Sequence, residues 1–97
     1  MSRRRIRWTK RALRRLDSIG AHIAKDNPEA AARVVSRIVS AVDALADHPA
    51  SGRAGRIRNT REMVLADIPY IVPYRVSDRE VEVLTIMHTS QKWPEAL

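Results

Sequence analysis

Cysteine is absent from the chain. That excludes a disulfide framework, a thiolate nucleophile and a cysteine-ligated zinc site, and leaves packing alone to hold the core. Long apolar runs are missing too. The opening MSRRRIRWTKR is charged like the start of a signal peptide, but Arg14, Arg15 and Asp17 interrupt the segment that follows. No window approaches the length of a membrane span. These absences predict a soluble, cytoplasmic protein with no membrane partner. Repeats, low-complexity tracts and linkers are lacking as well, so the 97 residues read as one domain spanning 1–97.

Acid is scarcest where base is densest. Lys and Arg number 18 against 11 Asp and Glu, a formal charge of +7, and eight of the basic residues lie between Arg3 and Arg15 with no acid among them. A second group, Arg53, Arg56, Arg58 and Arg61, sits in a stretch without periodicity. Such a field attracts polyanions, either nucleic acid or an acidic protein segment.

What is present has a readable order. Arg5 to Trp8 alternates charged and apolar residues as a short strand does. Thr9 is placed to cap a helix in which Leu13, Leu16, Ile19 and Ile23 fall at helical spacing and Arg11, Arg14 and Arg15 take the other side. Asn27 as N-cap, Pro28 at the first helical position and Glu29 beside it open a second helix. Its stripe runs from Ala31 to Ala46, with His48 and Pro49 closing it. The short connection predicts an antiparallel helix hairpin. The segment Ala50–Asn59 reads as a loop. Three extended segments follow, Arg61–Ala66, Tyr70–Ser77 and Glu80–His88, joined by short turns into an antiparallel meander. Pro73 predicts a local irregularity in the middle strand. One sheet face should pack on the helices and the other should stand open and apolar, awaiting a partner.

Several stretches on this frame have a familiar look. DNPEAA opens the second helix, HPASGRAGR follows it, TREMV enters the sheet, PYIVPYRV makes the next strand and VLTIMHTSQKWP ends the chain. Together they resemble the ParE/RelE superfamily, the toxins of type II toxin–antitoxin modules, over nearly the whole length and nearer the ParE branch. The resemblance implies an α+β fold: an N-terminal strand, then an antiparallel helix hairpin packed on a small, mainly antiparallel sheet (β-α-α-β-β-β). It also implies a bacterial toxin without cofactor, held in a hetero-oligomer by a cognate antitoxin with an acidic or amphipathic C-terminal tail. RelE-like members cut mRNA on the ribosome without metal, whereas ParE-like members bind DNA gyrase.

The branch decides the chemistry. Metal-free RNA cleavage needs proton transfer to and from the reacting oxygens and positive charge at the phosphorane. His88 resembles the strand-end histidine of the YoeB-like branch, but Thr89 follows it where that branch has tyrosine. The matching strand, MVLAD, carries no base, Arg61 falls several residues early, and SGRAGRIRN holds no glutamate. Arg61 and His88 are catalytic candidates only if the chain is RelE-like. Otherwise His88 is scaffold, with Trp93 packing across it or the adjacent strand. For antitoxin or target binding the candidates are Arg53, Arg56, Arg58, Arg61, Tyr70, Tyr74, Lys92 and Trp93. Tyr70 and Tyr74 share strand parity and suit either base stacking or the core. Trp8 reads as core, and His22 and His48 lack metal-ligand spacing. The reading is a gyrase-binding toxin, not an enzyme. The alternatives are a ribosome-dependent mRNA endoribonuclease and a non-toxic, basic nucleic-acid-binding domain.

Overall fold

Thr9 ends one element and starts the next. Its backbone is extended, at φ −67° and ψ 158°, and its hydroxyl oxygen accepts the amide hydrogen of Ala12, as an N-cap does. The same hydroxyl donates toward the carbonyls of Val83 and Leu84, at 2.9 and 3.0 Å, which fastens the helix start to the sheet. The computed structural model describes residues 3–94. Its elements run β1 (Arg5–Trp8), α1 (Lys10–Ala24), α2 (Pro28–Ala44), β2 (Arg53–Ala54), β3 (Arg61–Leu65), β4 (Tyr70–Val76), β5 (Glu80–Val83) and β6 (Met87–His88).

The two helices are capped alike and charged oppositely. Asn27 accepts the Ala30 amide at the start of α2, with Pro28 and Glu29 in the first turn as expected. The first turn of α1 has no acid, and Lys10 and Arg11 stand there instead. Cations at the positive end of a helix dipole oppose the helix, by about 0.3–1 kcal/mol each. α2 also stops sooner than its stripe predicts. The α-helix ends at Ala44, and a tighter turn follows in which Leu45 N–H reaches the Val42 carbonyl and Ala46 N–H that of Asp43. That turn still carries Leu45 and Ala46 into the interior, at 0% and 1% exposed.

The sheet order is β1-β5-β4-β3-β2, and β6 pairs with the far end of β4. β1 runs parallel to β5, Ile6 opposite Val81 and Trp8 opposite Val83, while every other pairing is antiparallel. Tyr70, Val72, Val83 and Leu65 from the sheet meet Ala12, Leu16, Ile19, Ile38 and Val42 from the helices in one core, with Trp8 partly buried against it. Each large aliphatic side chain so buried contributes about 1.5–3 kcal/mol.

Two expectations about the sheet need correction. The last strand is not continuous, since Leu84–Ile86 separate β5 from β6. Between the pairs Tyr74–Val83 and Ile71–Met87 lie two residues on β4 and three on the partner, a one-residue bulge. Pro73 causes it. Its carbonyl accepts from Leu84 N–H at 3.0 Å, so its nitrogen, which has no hydrogen to give, faces the same partner. The face away from the helices is not an open apolar surface either. Ile71, Leu84 and Met87 on that face are 4%, 7% and 2% exposed. The Gly/Arg loop folds over it, tied to Glu62, and Trp93 of the C-terminal segment stacks on Arg56 of that loop. Val64, 45% exposed, is the large apolar residue left outside on the sheet.

Candidate interaction surfaces

Glu62 points into the loop from β3, and its side chain has no exposed surface. A buried carboxylate persists only if its oxygens are satisfied. One oxygen takes Arg53 Nε and Nη2 at 3.1 and 2.9 Å, and the other takes the backbone N–H of Arg56 at 2.7 Å. Arg61 Nη1 donates to the Gly52 carbonyl at 2.9 Å. Tyr74, 0% exposed, donates to the Pro49 carbonyl at 2.7 Å and accepts the Gly52 N–H at 2.9 Å. Burial pushes its phenol above the ordinary tyrosine range, partly offset by the Gly52 hydrogen bond. Two glycines permit this closeness. A Cβ on Gly52 would sit 2.5 Å from the Tyr74 hydroxyl and 2.9 Å from the Glu62 carbonyl oxygen, and one on Gly55 would collide with Thr60.

Several residues expected to meet a partner also make bonds within the fold, although the Arg53 and Arg56 side chains stay 53% and 49% exposed. Arg53 and Arg61 hold the loop, Arg56 holds it through its amide, and Tyr74 has no face to offer. Arg58 is exposed at the loop's tip. Tyr70 is 9% exposed, part of the core, and meets the His88 ring edge to face at 5.3 Å between centroids. Lys92 is exposed. Trp93, expected to pack across His88 or the adjacent strand, stacks on the Arg56 guanidinium, 4.2 Å from the ring centroid.

His88 is held by its own turn. Nδ1 lies 3.1 Å from the Ser90 amide and 2.7 Å from the Ser90 hydroxyl. A backbone N–H can only donate, so Nδ1 accepts and the neutral ring carries its hydrogen on Nε2. No carboxylate pairs with His88 among the described residues. Arg61 is remote: it stands opposite Tyr74 while His88 stands opposite Tyr70, on the other side of β4. Four residues along a strand are about 13 Å, and two strand spacings add roughly 10 Å across. Among the described residues no group of three or more His, Cys, Asp or Glu gathers as a metal site.

Of the outer grooves among the described residues, two bear on binding. The first lies between α2 and β3, about 470 Å³, lined by Arg37, Ala41, Ala44, Met63 and Val64. β2 covers only Arg61 and Glu62, so the edge of β3 from Met63 to Leu65 has no neighbouring strand among the described residues. At its rim Arg37 donates to Asp67 at 2.8 Å and holds that carboxyl below the usual carboxylate range. The second groove, about 270 Å³, runs between α1 and the C-terminal segment and is lined by Arg11, Arg14, Arg15, Ser18, Thr85 and Gln91. Neither groove is assigned by the sequence. The acid-free first turn of α1 is the signal for the second, and the brevity of β2, which exposes the first, has none.

Capped helices on one face of a mixed sheet, a locked corner loop and shallow outer grooves define a small α+β domain. Comparison with known proteins places it. The family model "ParE toxin of type II toxin-antitoxin system, parDE" matches residues 6–93. The putative toxin Y4kP of Sinorhizobium fredii is 72% identical over 97 residues, all of both chains. Toxin RelE2 of Caulobacter vibrioides is 37% identical over 87% of this chain and 93% of its own. A chain from the chromosomal ParDE toxin–antitoxin system of P. aeruginosa superposes with a TM-score of 0.80 at 29% identity, over 90% of this chain and 97% of that one. The chain belongs to the ParE toxins of type II toxin–antitoxin systems. Membership implies an antitoxin partner. Among the described residues no helix is long and apolar enough to cross a membrane.

Proposed function

We propose that this toxin acts in the cytoplasm by stoichiometric binding to DNA gyrase and that its antitoxin holds it inactive. The observation that carries this reading is the isolation of His88. Its ring is fixed by Ser90 and Tyr70, no carboxylate pairs with it among the described residues, and Arg61 is occupied with loop carbonyls at the other end of the sheet. A ribonuclease must bring acid, base and phosphate clamp to one point. The ParE family match supports the same branch.

The antitoxin fits the groove between α2 and β3. Its tail would add a strand to the free edge at Met63–Leu65 and lay apolar side chains on Val64, Ala41 and Ala44. This replaces the sheet face, which the chain covers itself.

Purified toxin titrated into a gyrase supercoiling reaction should stop it near equimolar ratio. His88→Ala should leave that inhibition intact. A second reading, ribosome-dependent mRNA cleavage, is favoured by the 37% identity to the relative named RelE2. Cleavage of mRNA within codons in a translating extract, abolished by His88→Ala in a variant that stays folded, would replace the gyrase reading.

A further inference from the structure

We propose that the basic face of α1, with the groove it forms against the C-terminal segment, binds the phosphodiester backbone of a nucleic acid. This site stands independently of the choice of target. Lys10, Arg11, Arg14 and Arg15 fall within the first half of α1, and none pairs with a carboxylate among the described residues. Elsewhere Arg3, Arg7, Arg37, Arg53, Arg56 and Arg75 do, while others such as Arg5, Arg58 and Arg79 do not. The position of Lys10 and Arg11 is adverse to the helix itself, since they lie in its first turn at the positive end of the dipole. Helix stability therefore does not account for them.

The groove is built, not merely charged. Arg15 Nε donates to the Ile86 carbonyl at 3.1 Å, and its Nη2 reaches Gln91 Oε1 at 3.4 Å. The same Gln91 oxygen takes the His88 N–H at 3.2 Å, which ties the floor to β6. Arg11 and Arg14 line the groove three residues, about 4.5 Å, apart along the axis, so two guanidinium groups can face neighbouring phosphates of one strand. Ser18, Thr85 and Gln91 complete the lining with neutral polar groups.

What the groove lacks selects the ligand class. Ile86 and Met87 border it but are 0% and 2% exposed, and Leu13, 46% exposed on α1, lies outside its lining, so the groove itself offers no large apolar anchor. An amphipathic peptide needs such anchors, whereas a phosphodiester chain needs only cations and donors. The wider cleft beside β1, about 870 Å³, is a weaker candidate. Its Arg3, Arg4, Arg5 and Arg79 are mixed with Asp78 and Glu80, Arg3 pairs with Asp47, and Arg4 is bonded to the Ser77 carbonyl.

The test is fluorescence anisotropy of a short labelled duplex DNA and a single-stranded RNA of equal length, titrated with the full chain free of antitoxin over a series of salt concentrations. The parent should bind at low salt, and whichever probe binds more tightly identifies the natural form. In Lys10→Gln/Arg11→Gln/Arg14→Gln the slope of log K against log salt should shrink by about 2–3, near one for each phosphate no longer neutralised. Arg5→Gln/Arg58→Gln/Arg79→Gln removes the same charge and should change the slope less than half as much. The α1 variant should melt no lower than the parent, because it removes charges the helix dipole opposes, so weaker binding cannot be ascribed to unfolding. Equal losses in the two triple variants, or no binding of either probe by the parent at low salt, would overturn the proposal.

Discussion

The arginines of the corner loop and those of α1 are the same residue type in opposite surroundings. Arg53 meets a carboxylate with no exposed surface, Arg56 gives its amide to that carboxylate, and Arg61 is bonded to backbone carbonyls. Lys10, Arg11 and Arg14 meet no carboxylate among the described residues, and the first two lie where the helix dipole repels them. A charged side chain therefore says little about binding until its partners are known. The first group fastens a loop to a sheet, and the second holds its charge toward solvent.

The contrast can be broken most sharply at Glu62. Glu62→Ala should destabilise the fold by roughly 2–3 kcal/mol, less than for a wholly buried pair because the arginines are half exposed. An unfolding free energy from urea titration within about 0.5 kcal/mol of the parent's would mean the loop is not held as described. Tyr74→Phe comes next, at about 1–2 kcal/mol, since it leaves the Gly52 N–H and the Pro49 carbonyl without their partner. The pH dependence has a defined sign. The buried phenol titrates above its unfolded value, so its stabilising share is full below about pH 10 and is lost as pH climbs through the raised value. The unfolding free energy should fall less steeply between pH 8 and about 11 in the Phe variant.

Smaller effects should come from the other group, with the opposite sign. Lys10→Gln/Arg11→Gln should raise stability by about 0.5–1 kcal/mol at low ionic strength, a gain that fades with salt. A loss instead would place these residues among the structural ones. The smallest change concerns Arg37→Gln. Asp67, held below the usual carboxylate range chiefly by that guanidinium, contributes at neutral pH and loses its contribution as acid protonates it below about pH 4. In the variant its NMR titration should move up toward the ordinary value, and an unmoved midpoint would deny the pairing.

The parts legible in the sequence are those set by neighbours along the chain. Thr9 and Asn27 cap because their side chains reach amides three residues on, and the two helical stripes and the β3–β4 turn follow from local periodicity. Pro73 announces an irregularity, though the extra residue lies in its partner strand, where sequence gives no mark. The parallel pairing of β1 with β5 and the two-residue β2 depend on contacts far apart in sequence. The loop arginines look available because nothing local tells that Glu62, on a strand beyond the loop, is buried among them. The exposed half of α1 reads as solvated surface, and its want of acid is the legible part of that site.

The side-by-side alignment of β1 with β5 joins residues near the start of the chain to residues close to its end, as in the bond from Arg7 to Glu82, 75 positions apart. Folding such a sheet means closing a very large loop late, which is slow compared with forming a hairpin. A ribosome must therefore release the segment around Glu80–Val83 before the first strand finds its place, so this sheet is completed only near the end of synthesis.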